Sequence, residues 1–155
     1  MAKLPIVEYP DPILLKQTGL VKDANSPEIQ KLIIDMLETM EKNNGVGLAA
    51  PQVGKSLRLC VIRVDDEEYI LVNPKITYRS WVQEICEEGC LSFPGKFIPV
   101  SRPKKVHVNA LDGNGEKISL KAEGLLARVL QHEIDHLDGK VFIEKEVKKK
   151  KNAKR

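Results

Sequence analysis

Two histidines four residues apart, His132 and His136, with Glu133 directly after the first, carry the strongest chemical signal in the chain. On a helix, positions i and i+4 share one face with side chains about 5–6 Å apart. Two imidazoles at that separation can grip one metal ion. Glu133 falls about 100° further round the helix. There it flanks such an ion and can accept a proton from an activated water. The bland alternative is a surface histidine pair. The apolar neighbours Leu125, Leu126, Val129, Leu130, Ile134 and Leu137 argue against it. A helix apolar on two sides lies inside a domain, and polar groups at that depth need partners.

Two histidines leave a hydrolytic site one ligand short of the usual three protein ligands and one open position. Cys90 is the best placed candidate by context. Gly89 before it permits close backbone approach, and Pro94-Gly95 after it mark an irregular loop from which a thiolate can reach a helix face. His107 sits between Val106 and Val108 on an alternating segment, on the face opposite the valines, and reads as an exposed bystander. Cys60, inside an apolar run, reads as a small core residue, and Cys86 as structural. The stretch GVGLAAPQ (45–52) has two readings. One is a helix stop with a tight small-residue connection. The other is close backbone approach to a peptide-like substrate, with Gln52 donating its amide to an oxygen.

The elements that must hold these residues are legible in outline. Ser26-Pro27-Glu28 is a helix start, with a capping hydroxyl, a proline for the first position and an acid at the positive end of the dipole. Ile29, Leu32, Ile33, Met36, Leu37 and Met40 recur at helical spacing, and Asn43-Asn44-Gly45 stops the helix. Residues 57–64 and 69–72 read as strands around an acidic turn, and 75–85 as extended. Val106, Val108 and Ala110, the turn Asp112-Gly113-Asn114-Gly115, and Ile118, Leu120 and Ala122 read as a hairpin. A second helix is expected over 123–138, closed by Gly139. Helices and meandering strands combine as an α+β fold rather than as alternating βαβ units.

The 155 residues predict one domain that needs no disulfide staple. Three cysteines and an opening without an apolar core of secretory length lead us to expect a reducing compartment. No apolar run approaches the roughly 18–20 residues that span a bilayer, so no membrane partner is expected. The net charge of +3 is uneven. Residues 144–155 carry +5 and the preceding body −2, so DNA binding by the whole fold is not expected and only the tail has a basic character. We therefore expect a single catalytic domain over 1–143 followed by a short basic tail over 144–155.

Three segments, GVGLAAPQ (45–52), EGCLS (88–92) and QHEIDH (131–136), follow one another about forty residues apart. Together they resemble the peptide deformylase family, metal hydrolases that remove the formyl group from N-formylmethionine on new polypeptides. Tyr9-Pro10-Asp11-Pro12 and the stretch 124–127 are similar too, and the resemblance covers residues 5–144. It implies an α+β fold, with antiparallel β-sheets packed around a central helix carrying the HExxH motif. It implies Cys90, His132 and His136 as metal ligands and Glu133 as general acid/base. Gln52 and the backbone N–H of Leu91 would bind the formyl oxygen, and Gly47 would line the site; Gly89 is a further substrate-side candidate on its own account, since it permits close backbone approach. The expected cofactor is one divalent metal ion, Fe2+ in the cell, with Zn2+, Ni2+ or Co2+ as other occupants. The implied substrate is the N-formylmethionyl nascent peptide, and the implied location the bacterial cytoplasm, with a processed organellar form left open.

The methionine side chain needs an apolar slot, for which Val46, Leu125 and Val129 are the candidates. Arg128 stands where many relatives of the family have an aliphatic residue. Its stem is expected at the pocket rim with its head in water. Glu88 and Arg102 are expected to pair and brace the loop carrying Cys90. Lys148 to Lys151 could touch ribosomal RNA weakly, although a solvated end is the plainer reading.

Two rival classes make distinct demands. A zinc endopeptidase built on HExxH usually takes its third ligand downstream, but only 19 residues follow His136, with no His or Cys among them. A metal-stabilised binding module would have no use for Glu133 or for an open coordination position.

Overall fold

A computed structural model describes residues 2–148 of the chain. The first helix, α1 (Pro27–Lys42), starts where expected, with Ser26 Oγ accepting from the Ile29 N–H at 3.3 Å. It stops at Asn43, and the left-handed position belongs to Asn44 (φ 56°) rather than to Gly45. Asparagine tolerates that conformation because its short polar side chain can bond locally.

Five strands form one antiparallel sheet in the order β1 (Gly47–Ala49), β2 (Leu59–Val64), β3 (Glu67–Arg79), β6 (Lys105–Leu111), β7 (Lys117–Glu123). Two more, β4 (Gln83–Cys90) and β5 (Phe93–Pro103), form a separate antiparallel ribbon. The expected extended run over 75–85 is therefore two strands. The break is Ser80-Trp81-Val82, where Ser80 Oγ accepts from the Lys105 N–H at 3.0 Å and donates to the Val82 carbonyl at 2.9 Å. Periodicity could not find this break, because both strands continue the same extended character on either side of it.

The hairpin forms as expected. Asp112 Oδ1 accepts from the N–H groups of Asn114 at 2.8 Å and Glu116 at 3.0 Å.

Strand β2 is apolar almost throughout because both of its faces are covered. Leu59 and Val61 pack with Ile29, Leu32, Met36 and Met40 of α1. Cys60, Ile62 and Val64 face the other way, into a cluster with Val106, Val108, Ala127, Leu130, Ile134 and Leu137. Full burial of each valine, leucine, isoleucine or methionine among them contributes about 1.5–3 kcal/mol.

The second cluster is built on α2 (Gly124–Leu137), which lies between the sheet and the ribbon. This is the expected arrangement of antiparallel sheets around a central helix. From Ala127 to His136 only Asp135 is not buried. The helix stops at Leu137, and the chain turns away at Gly139 (φ 74°), where a Cβ would stand 2.8 Å from the Lys16 carbonyl carbon. No other residue type fits that approach without moving backbone.

The packed body runs on past residue 143, the expected end of the domain. Phe142–Lys145 form a 3-10 turn, Glu146 bridges to Val100, and the Val147 N–H donates to the Pro99 carbonyl at 2.9 Å. Of the Lys148–Lys151 run, only Lys148 falls within the described residues.

Candidate active site

Helix α2 presents His132 and His136 on one side, with ring centroids 5.0 Å apart. Cys90, the last residue of β4, approaches them from the ribbon, with Sγ 3.3 Å from His136 Nε2. The donor atoms of Cys90, His132 and His136 all lie within 4.8 Å of one another. Cys60 is buried in the core and Cys86 is exposed on β4. His107 is half-buried rather than fully exposed, because its ring leans on Tyr78 at 4.7 Å. Neither cysteine nor His107 joins the cluster.

Burial opposes a proton on His132, but hydrogen bonds to Cys90 and Glu88 outweigh it and push the His132 pKa up to about 10. His136, equally enclosed, is pushed well below the usual range by burial and by its charged neighbour His132. The thiol and the two rings converge closely enough for their donor atoms to share one cation. A soft sulfur with two imidazoles suits zinc or iron. The donor set thus fits the metal implied above.

Glu88 Oε1 lies 2.9 Å from His132 Nδ1, leaving the other ring nitrogen for the cluster. An imidazole ligand is commonly oriented in this way by a carboxylate on its far nitrogen. The expected Glu88–Arg102 pair is present, at 2.6 and 3.0 Å, and is buried. Arg102 continues to Asp135 at 2.9 Å. The Glu88–His132 contact was not anticipated from the sequence. Its signal was the strand period, which puts Glu88 and Cys90 on one face.

Glu133 is buried, and its Oε1 has no hydrogen-bond partner among the described residues. Burial is the main cause that raises its pKa to about 7. A carboxylate poised there can both take and return a proton near neutral pH. Gly47 makes room for it.

Gln52 is buried on the opposite wall. Its Oε1 accepts from the Ala49 N–H at 2.9 Å, so its amide nitrogen must point the other way, 3.1 Å from Ser92 Oγ and 3.4 Å from Cys90 Sγ. Sequence reasoning passed over Ser92, which is buried and accepts from that amide. Leu91 stands in the turn that follows Cys90.

These groups open onto a groove of about 620 Å³, within the usual range for small-ligand sites. Val46, Gly47, Gly89, Leu125, Arg128 and Val129 all line it. Val46 and Leu125 are exposed at its mouth, and Val129 is buried.

Arg128 departs from expectation. Its head does not reach water but turns inward, and the side chain is buried. Nη1 donates to Glu88 Oε2 at 2.6 Å and to the Val100 carbonyl at 2.9 Å, and Nη2 to the Glu84 carbonyl at 2.6 Å. Buried acceptors on the ribbon outcompete solvent for the guanidinium.

An α+β domain whose buried HExxH helix meets a cysteine from a separate β-ribbon defines a class, that of folds in which a Cys–His–His donor set able to hold a metal ion stands beside a glutamate. The family model for polypeptide deformylase matches residues 3–152, and the chain belongs to that family. It is 48% identical over 150 residues to the peptide deformylase of Thermodesulfovibrio yellowstonii, covering 94% of this chain and 90% of that one. It is 46% identical over 168 residues to that of Endomicrobium trichonymphae, covering 99% and 98%. The crystal structure of the Thermotoga maritima peptide deformylase superposes with a TM-score of 0.93 at 38% identity, covering 96% and 100%. The Ehrlichia chaffeensis peptide deformylase in complex with actinonin superposes with a TM-score of 0.92 at 43% identity, covering 96% and 91%.

Proposed function

We propose that this chain removes the formyl group from the N-terminal formylmethionine of nascent peptides, using Cys90, His132 and His136 as ligands of one divalent metal ion. The observation that carries the reading is the buried Glu133 oxygen, unpaired among the described residues, beside three converging donor atoms at the head of a largely apolar groove.

When bound, the cation supplies Lewis acidity that makes water a nucleophile near neutral pH. Glu133 takes a proton from that water as it attacks the formyl carbon, and returns the proton to the departing amine. The Gln52 amide, aimed by its bond to Ala49, and the Leu91 N–H stabilise the negative charge that grows on the formyl oxygen. The methionine side chain lies along Val46, Leu125, Val129 and the stem of Arg128, and Gly47 and Gly89 let the peptide approach closely. Actinonin, the ligand of the Ehrlichia relative, should occupy the same groove and inhibit.

The test is formate release from a formyl-Met peptide by anaerobically purified protein, with metal analysis on the same sample. Glu133→Ala should keep its metal and lose turnover, and full activity in that variant would remove Glu133 from the reaction. Iron is the proposed cellular metal, and loss of activity in air would support it. Cleavage at internal peptide bonds would favour the endopeptidase class instead.

A further inference from the structure

We infer that Arg128 is a positioning residue for the metal site, acting through Glu88, and not only a wall of the substrate groove. This rests on the reading of Cys90, His132 and His136 as metal ligands.

A carboxylate offers about four acceptor positions, and Glu88 has all of them filled. Oε1 takes Arg102 Nη2 at 3.0 Å and His132 Nδ1 at 2.9 Å. Oε2 takes Arg102 Nε and Arg128 Nη1, both at 2.6 Å. The Glu88–Arg102 fork alone leaves the carboxylate free to rock about its contact with Arg102. The Arg128 bond removes that freedom, because it pins Oε2 from the side of the metal helix. With Oε2 fixed, Oε1 is fixed too, and with it the orientation of the His132 ring.

The rest of the guanidinium works to the same end. Its bonds to the Glu84 carbonyl on β4 and the Val100 carbonyl on β5 tie both strands of the ribbon to α2. The ribbon carries Cys90, and α2 carries His132 and His136. One planar fork thus joins the two bodies whose separation sets the distance from sulfur to imidazole. Arg128 stands one turn before His132 on the same face of α2, so the brace acts close to the ligands. A lysine could supply charge to Glu88 but not a rigid fork that reaches two carbonyls as well.

The experiment compares wild type with Arg128→Met and Arg128→Lys. Metal-free protein is titrated with Co2+ in competition with a chelator, and the visible spectrum of the cobalt-loaded form is recorded. Steady-state kinetics follow on a formyl-Met peptide with metal in excess. Arg128→Met keeps an unbranched apolar stem, shorter than that of arginine, and removes the guanidinium. It should bind Co2+ about 10–100-fold more weakly, with shifted cobalt bands and a kcat that falls more than KM rises. Arg128→Lys should recover part of the affinity. Unchanged cobalt affinity and spectrum in Arg128→Met would overturn the inference, whether KM or thermal stability moves or not. A failure of the metal-site reading itself looks different: wild type would then bind no Co2+ with a thiolate-to-cobalt absorption. If Arg128→Met does not fold, the lysine variant decides alone, and wild-type affinity and spectrum there would overturn the role of the fork.

Discussion

A Cβ on Gly47 would stand 2.6 Å from Glu133 Oε2 and 2.9 Å from its Cγ and Cδ. Strand β1 therefore passes the acid/base candidate at a distance that only glycine permits. Gly47→Ala should push the Glu133 carboxylate away from the cluster while leaving Cys90, His132 and His136 in place. A misplacement of about 1 Å can cost on the order of 10²-fold in rate. We expect kcat to fall by about that factor with metal content unchanged, measured by formate release and metal analysis. A variant with wild-type kcat would show that Glu133 tolerates displacement.

Gln52 makes a different demand. Its Oε1 satisfies the buried Ala49 N–H, and its Nε2 faces Ser92 and Cys90. Gln52→Leu should lower kcat by about 10²–10³-fold through loss of an oxyanion donor. It should also destabilise the fold by about 1–3 kcal/mol, since the Ala49 N–H is left unpaired. The two effects separate experimentally. Urea unfolding reads the second, and kinetics at a temperature where the variant is fully folded read the first.

Which of these relationships could be read in advance follows from their range. The His132–His136 pair is local: 3.6 residues per turn puts the rings together whatever surrounds them. The α1 start at Ser26-Pro27 is local for the same reason. Cys90 is not, because its approach depends on where the β4–β5 ribbon docks, and context alone favours it over Cys86 and His107 without bringing it to the helix. The motif resemblance, not periodicity, names it as a ligand. Arg128 was misread for want of the same long-range knowledge. A side chain of that type on a groove wall ordinarily sends its head to water. Here the ribbon places the carboxylate of Glu88 and two carbonyls within reach instead. The β3–β4 break at Ser80 was hidden because turn residues there interrupt no alternation.

Asp35 provides a pH prediction away from the metal site. It is buried on α1, with Lys31 Nζ at 2.7 Å and the Ala2 N–H at 2.9 Å. The Lys31 bond, opposed by burial and aided by Ala2, holds its pKa below the ordinary 3.8. A lowered folded pKa means stability that is present above about pH 4 and is lost as pH falls through the folded value. Thermal melts of the metal-free protein should therefore decline below pH 4, and Asp35→Asn should flatten part of that decline. At pH 7 the variant should melt about 2–4 °C lower, the equivalent of roughly one hydrogen bond to a buried acceptor. An unaltered acid limb in Asp35→Asn would show that other carboxylates set it.

Glu88→Gln tests the buried charge cluster as a unit. In wild type one carboxylate faces two guanidinium groups and an imidazole, all buried. Glutamine keeps the shape but replaces one oxygen with a donor. If the amide nitrogen takes the Oε2 position it meets Arg102 Nε and Arg128 Nη1. In the Oε1 position it meets Arg102 Nη2 and His132 Nδ1. Either way donors oppose donors, and two buried cations lose most of their compensating charge. Removing one partner of a buried ion pair costs about 3–5 kcal/mol, so the urea midpoint should drop markedly with an unchanged slope. Metal affinity should fall as well, because His132 then faces either the amide nitrogen or a neutral oxygen whose partner atom no longer accepts from Arg102 and Arg128, and its ring is held less firmly. Wild-type stability in this variant would mean that the cluster relaxes around a neutral centre, with water or Asp135 taking up the freed guanidinium groups.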